Sequence, residues 1–280
     1  MSLTPLSFTR DAHQGRGRDE KGMNKPAAVR ARELLRVAVQ KLNDHVLVHM
    51  GVKLVNSGRP TRNFAEFFAH LNKLQFSPGT VIDVGVAWGT PDLYEAFPNS
   101  KFYLVEPLKE FEPDLQRLKS TYDTEYVLAA AGATQGEVTL NIHADPRQTT
   151  SLARAAVDHR VVPVVTVDNI IATRELRPPI LLKIDTEGQE LSVLRGAAET
   201  LHKVDLVILE TRLISYVDGL PEVGDIMEYM ANANFSLYDI LDGGYRPLDK
   251  ALEIVDLVFA RKDGPLRADR RHTSIGTDAW

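Results

Sequence analysis

The chain has 280 residues, 44% of them hydrophobic, with a formal net charge of -5 and a pI near 5.9. That is enough apolar material for one substantial core, and the acidic balance argues against nucleic acid as the default partner. The complete lack of cysteine excludes disulfides and thiolate metal sites. With no apolar run near the roughly 18 residues of a membrane span and no signal-peptide core at the start, a soluble cytoplasmic protein is expected.

Residues 1–25 read as a flexible arm, because Gly15, Arg16, Gly17, Arg18, Asp19, Glu20 and Lys21 crowd together without apolar periodicity. A helical extension is expected over 26–75. Its first helix runs from Pro26 to Met50 with Leu35, Val39, Leu42 and Val46 on one face, and its second carries Phe64, Phe67, Phe68, Leu71 and Leu74. An aromatic stripe at that spacing is read as packing, with a partial substrate lid as the lesser reading. A main domain follows over 76–262, and the polar residues 263–280 read as a loose tail.

From Thr80 onward, strands alternate with helices, the pattern of a parallel sheet covered on both faces. Strands are expected near 80–84, 101–106, 125–130, 180–185 and 204–210. The first runs into VIDVGVAWGT, Val81 to Thr90, a buried strand ending in a glycine loop. A dinucleotide fingerprint needs G-x-G-x-x-G, and after Gly85 its second and third positions are Ala87 and Thr90. The loop carries instead Asp83, an anion that repels a pyrophosphate and attracts a cationic amino group. S-adenosylmethionine fits this better than NAD. The second strand ends in Glu106, about 20 residues past the first glycine, the usual reach to a ribose diol.

Between the third and fourth strands lies an insertion: EVTLNIHA as an extra strand, DPRQTTSLARAA as a polar loop, and RVVPVVTVDNI as another strand. Ser151 in the loop and Asp168 at the following strand end are candidates for acceptor binding. Asp168 also suits the N-cap of the next helix. His143 and His159 flank the loop as alternative bases near neutral pH. At the C-terminus FSLYDIL, a Gly243-Gly244 turn and EIVDLVFARK read as an antiparallel closing pair, which favours methyltransferases over dehydrogenases.

The segment ILLKIDTEGQELSVLRGA, Ile180 to Ala197, is the most specific. Its strand ends in Asp185, and Thr186 with Gln189 forms a capping-box pattern for a helix that buries Leu191, Val193 and Leu194. Asp185, Glu187 and Glu190 are close in sequence. A hydroxyl is a weak nucleophile at neutral pH, so transfer to it benefits from such a base. Glu187 and Glu190 are equally explained by the dipole of the helix start, worth roughly 0.3–1 kcal/mol. Lys183, two residues before Asp185, projects to the same face.

The segment KIDTEGQELSVLRGA resembles the signature of the FkbM-type methyltransferase family, and the resemblance extends from about Phe76 to Arg261. It implies a class I S-adenosylmethionine-dependent methyltransferase: a mostly parallel Rossmann-like sheet with an antiparallel C-terminal strand, preceded here by N-terminal helices. Family members methylate hydroxyls on sugars, glycolipids and macrolide-like natural products. By this resemblance Asp83, Gly85, Ala87 and Gly89 form the cofactor loop, and Glu106 with Pro107 the ribose-binding strand end. Ala130 and Ala131, in the stretch Ala130 to Gly132 followed by Gly136, lie near the adenine. Thr150 to Leu152 resembles a hydroxyl-rich loop signature and Val165 to Asp168 the family's next strand end. The chain departs from the pattern at Val86 and Ala87, where many relatives carry Ala and Asn, and at Ala133, where an acid is common.

The expectation is therefore an O-methyltransferase in which a hydroxyl of a small molecule or glycan attacks in line. Asp185 orients it or takes its proton, Glu187 and Lys183 assist, Asp185 also borders the cofactor, and Ser151, Asp168 and His159 contact the acceptor. No spacing demands a metal, although Asp168, Asp185 and Glu187 are oxygen donors. An NAD-dependent oxidoreductase and a non-catalytic cofactor-binding module remain as rivals. No nucleic acid or membrane insertion is expected, and monomer and homodimer both stand.

Overall fold

The computed structural model describes residues 62–142 and 158–271, together with Val39 and Lys41, which are helical and exposed. The chain divides into two compact units, Met1–Asn56 and Ser57–Trp280, and every element from residue 62 onward belongs to the second. The arm at 1–25, the apolar face at Leu35, Leu42 and Val46, and the loop residues His143, Thr150, Ser151 and Leu152 lie outside the described residues. No helix among the described residues is long and apolar enough to cross a membrane.

Helix α1, Phe64–Lys73, starts at a reciprocal cap: the Asn63 side chain accepts from the Glu66 amide at 2.8 Å, and the Glu66 carboxylate accepts from the Asn63 amide at 3.2 Å. Phe67, Phe68 and Leu71 are buried against the sheet, so the stripe is packing. Leu74 is exposed because the helix has already ended and Leu74 is its C-cap.

The remaining elements are β1 Thr80–Val84, α2 Pro91–Ala96, β2 Lys101–Glu106, α3 Glu112–Thr121, β3 Thr124–Leu128, β4 Ala130–Ala131, β5 Gly136–Ile142, β6 Asp158–Val165, α4 Val167–Ile171, β7 Ile180–Ile184, α5 Glu190–Arg195, α6 Ala198–Leu201, β8 Leu206–Arg212, α7 Val223–Asn232, β9 Phe235–Tyr245 and β10 Leu252–Arg261. Seven strands form one sheet in the order β3-β2-β1-β7-β8-β10-β9. Its pairs are parallel from β3 through β8, and β10 runs antiparallel to both of its neighbours. The expected sheet and its closing pair are thus present.

Every residue of β1 and of β7 is buried, as expected for strands covered on both faces. Side-chain alternation divides the core. Ile82, Val84, Leu182, Ile184, Val207 and Leu209 pack with α4, α5, α6 and α7. Val81, Phe102, Leu104, Leu181, Leu206 and Ile208 pack with α1, α2 and α3.

Two local expectations change. The single strand at 125–130 is broken: β3 stops at Leu128, and Ala130–Ala131 joins a separate three-stranded sheet of order β4-β6-β5. The β5–β6 hairpin recruits β4 by parallel pairing at Ala130↔Val164 and Ala131↔Val165. The helix after β7 also begins later than the capping-box pattern suggests. Its N-cap is Gln189, with no side-chain cap bond, because the carboxylate that gathers the loop amides belongs to Glu190.

Candidate active site

Parallel register fixes which side chains reach the C-terminal rim of the sheet. Asp83 pairs with Leu104 and Lys183, and Val84 with Val105 and Ile184; Ile184 in turn pairs with Leu209. One residue further, Glu106, Gly85, Asp185 and Glu210 stand side by side at the strand tips, and Asp256 on β10 pairs directly with Glu210. This row borders a cavity of about 520 Å³ that is lined by Gly85, Glu106, Lys183, Asp185, Glu187 and Glu210 among others, a volume within the range of small-ligand sites.

On the β1–β2 side the row is held by backbone donors. Glu106 is 4% exposed, and its two carboxylate oxygens accept from the Ala87 amide at 2.8 Å and the Leu108 amide at 2.9 Å. Burial pushes its carboxyl above the ordinary range, and the two amides pull it back. A carboxylate offers about four acceptor sites, so two remain for a ligand. Gly85 has φ +81°, and a Cβ there would lie 1.7 Å from the Asp185 carbonyl oxygen; only glycine lets β1 and the end of β7 close on one another. Ala87, at φ 48°, adopts the left-handed region without being glycine, a conformation that concentrates at ligand sites. Trp88, 45% exposed, sets its ring edge-on to Phe111 at 5.8 Å. Gly89, Pro107, Ala130 and Ala131 also line the cavity.

The wall beneath Ala130 and Ala131 is fastened to the opposite side. The Ser192 hydroxyl accepts from the Ala133 amide at 3.1 Å, and a Cβ on Gly196 would lie 2.0 Å from the Gly132 carbonyl oxygen.

On the β7–β8–β10 side the row is acidic. Lys183 is buried, with its ammonium 3.1 Å from Asp185 and 3.6 Å from Asp83. Burial lowers the Lys183 pKa, but the carboxylates of Asp185, Asp83 and Asp256 outweigh it and hold the ammonium above its usual value. Glu187 sits at φ 54° and pairs with Arg212 at 2.9 Å. Burial, with Asp185 and Glu190 nearby, pushes Glu187 up to about 7 against the pull of Arg212. Glu190 accepts from the Thr186 amide, the Thr186 hydroxyl and the Gly188 amide at 2.9–3.1 Å. It therefore pins the loop that carries Glu187.

Several expected site residues stand elsewhere. Asp83 is fully buried and absent from the cavity lining. It sits two residues below the rim, about 7 Å down the strand, where the Tyr94 hydroxyl donates to it at 2.5 Å. Burial raises its carboxyl, while Lys183 and Tyr94 oppose the rise. Asp168 is also outside the lining. The N-cap of α4 is Thr166, and the Asp168 carboxylate accepts from the amides of Glu199 and Thr200 and from the Thr200 hydroxyl at 2.6–3.1 Å, which caps α6. His159 is exposed and 2.7 Å from Asn141 on the neighbouring strand, away from the lining.

Sequence reasoning missed Glu210 and Asp256. Glu210 closes LVILE with the same strand-tip acid that marks Asp185, so the signal was available; Asp256 lies on an antiparallel strand, where no tip marks it.

A parallel sheet closed by an antiparallel C-terminal strand, with its cavity at the parallel strand tips, is the class I methyltransferase architecture. The chain belongs to the methyltransferase FkbM domain family, whose model matches residues 83–237. No curated protein matches it. Among solved structures it is similar to an rRNA methylase from Streptococcus thermophilus, at 13% identity and TM-score 0.41 over 72% of this chain and 98% of that one. It is also similar to the magnesium protoporphyrin IX methyltransferase of Synechocystis PCC 6803 with bound SAM, at 12% identity and TM-score 0.39 over 86% of each chain. A third is the 1,6-didemethyltoxoflavin-N1-methyltransferase of Burkholderia thailandensis, at 12% identity and TM-score 0.38 over 86% of this chain and 93% of that one.

Proposed function

We propose that this FkbM-family protein is an S-adenosylmethionine-dependent O-methyltransferase acting on a hydroxyl of a sugar, glycolipid or other natural product in the cytoplasm. The observation that carries the cofactor part is Glu106: a cavity-lining carboxylate fixed by two backbone amides, with acceptor sites left over for a ribose diol. Gly85 beside it lets the end of β7 close on β1, which brings Asp185 to the same rim. Ala130 and Ala131 provide a small apolar wall for the adenine, and Asp185 and Lys183 border the other end.

When bound, the cofactor supplies a methyl group on a positively charged sulfur. The residues of this chain contribute position and charge. Glu106 would hold the nucleoside, the loop from Gly85 to Gly89 would border the chain joining it to sulfur, and the carboxylates of Asp185 and Glu187 would favour a cationic group. Holding reactants in line is worth roughly 7–11 kcal/mol in favourable cases, so pinned side chains suit the task. Asp185, paired with Lys183 at 3.1 Å, orients the acceptor hydroxyl. The acceptor class follows from the family resemblance. The acceptor is a small molecule or glycan rather than nucleic acid.

Calorimetric titration with S-adenosylmethionine, S-adenosylhomocysteine and NADH tests the cofactor. Binding of the first two and not the third is expected, and the reverse order overturns the reading. Labelled S-adenosylmethionine offered with fractionated glycans, glycolipids and metabolites then locates the acceptor.

A further inference from the structure

Three acids at the rim of β7 and β8 line the cavity: Asp185, Glu187 and Glu210. They differ in what already holds them. Asp185 is paired with Lys183 at 3.1 Å, and Glu187 with Arg212 at 2.9 Å. Each already has a fixed cation across the rim. Glu210 lines the same cavity, yet no cation or hydrogen-bond donor among the described residues reaches its carboxylate.

The carboxylates around Glu210 all favour a bound proton. Asp185, Glu187 and Glu190 face it from β7 and the loop beyond, and Asp256 faces it from β10. Burial first, and then these carboxylates, raise the Glu210 carboxyl well above the ordinary range. Lys183 is drawn toward Asp185, Asp83 and Asp256, Asp242 acts on Asp256 from β9, and Arg212, two residues along β8, is turned to Glu187 and Glu253.

We propose that Glu210 is the catalytic base, the carboxylate that takes the proton of the acceptor hydroxyl during methyl transfer. The inference rests on the O-methyltransferase reading above. As the acceptor oxygen bonds to the methyl carbon, the carbon–sulfur bond breaks with its electron pair on sulfur, and Glu210 receives the hydroxyl proton. The products are an ether, a neutral thioether and a protonated Glu210. Burial and the surrounding carboxylates favour a proton on Glu210 in the ligand-free protein; a sulfonium charge at the rim would favour its release and leave the base ready, whereas a neutral thioether would not.

Calorimetry in two buffers of different ionisation enthalpy near pH 7 measures this directly, with S-adenosylmethionine and S-adenosylhomocysteine as the probes. The wild-type protein is expected to release more protons with the first than with the second, and E210Q to lose that difference while keeping its affinity for S-adenosylhomocysteine within about threefold. E210A provides the same comparison should E210Q fail to bind the thioether. Equal proton release from the wild type with both probes overturns the proposal, as does a difference that survives in E210Q and vanishes in D256N. Failure of both probes to bind overturns it together with the cofactor reading beneath it. With an acceptor in hand, E210Q is expected to lower kcat about 10²–10⁴-fold and to abolish the acidic limb of the kcat–pH profile, with little change in KM; a profile that keeps that limb overturns the assignment.

Discussion

The two ends of the strand-tip row solve opposite problems. At the β1–β2 end, Glu106 is surrounded by backbone donors, and its position is fixed before any ligand arrives. At the β7–β8–β10 end, Asp185, Glu187, Glu210 and Asp256 crowd together with Lys183 and Arg212 as the nearby cations, and three of the four acids are pushed up by burial and by one another. A satisfied anion makes a reliable handle, whereas an under-satisfied cluster costs stability and stores proton affinity. The first suits holding a ligand and the second suits chemistry.

The largest break in this contrast is expected from Gly85→Ala, which inserts a Cβ 1.7 Å from the Asp185 carbonyl oxygen at a φ of +81°. The two ends of the row meet there, so thermal unfolding should show a loss of several kcal/mol, by analogy with overpacking at strained backbone, and calorimetry should show no cofactor binding. Next, Glu106→Ala removes the handle and frees the Ala87 and Leu108 amides. At roughly 1.5–3 kcal/mol per charged hydrogen bond, affinity for S-adenosylmethionine should fall at least about tenfold; unchanged affinity would mean that the first end is not a handle.

A third test concerns the crowded end. Asp256 has a carboxyl pushed up to about 7, chiefly by burial and then by Asp185. Between its ordinary value of 3.8 and about 7, the native protein keeps a proton that the unfolded chain has released, so stability on account of this group falls as pH rises through that window. Asp256→Asn removes the penalty at pH 8 and changes little at pH 5. A rise in Tm of about 2–4 °C at pH 8 corresponds to about 1 kcal/mol, and a fall at pH 8 would show that the cluster is stabilising. The smallest effect is expected from Asp168→Ala. It uncaps α6 at a cost of about 0.5–2 kcal/mol and leaves S-adenosylmethionine affinity unchanged, because that carboxylate serves the scaffold and neither end of the row.

How far the sequence led can be judged from the acids themselves. Asp83 and Glu106 are equivalent as letters at the ends of apolar runs. Register separates them: Asp83 is level with Leu104, two residues below Glu106, and that depth turns it from a ligand contact into a buried partner of Tyr94 and Lys183. Glu106, Asp185 and the Gly85 loop were legible because apolar run, acid and glycine follow one another locally. The alignment of Glu210 with Asp185 and Asp256 was not, since it depends on pairing strands far apart in sequence. Asp168 shows the same limit. Its spacing suited its own helix, but its three donors come from residues 199 and 200.

The close approach of Gly196 to the Gly132 carbonyl, with the bond from the Ala133 amide to Ser192 beside it, has a mechanical consequence. It rivets the small sheet to the helix that follows the acidic loop, so neither can swing on its own hinge. A ligand that pushes on the wall at Ala130 and Ala131 therefore strains the acid-bearing loop as well, and the cavity must dilate as one frame. Larger side chains at this rivet would loosen the frame while leaving the backbone bonds to Glu106 chemically intact.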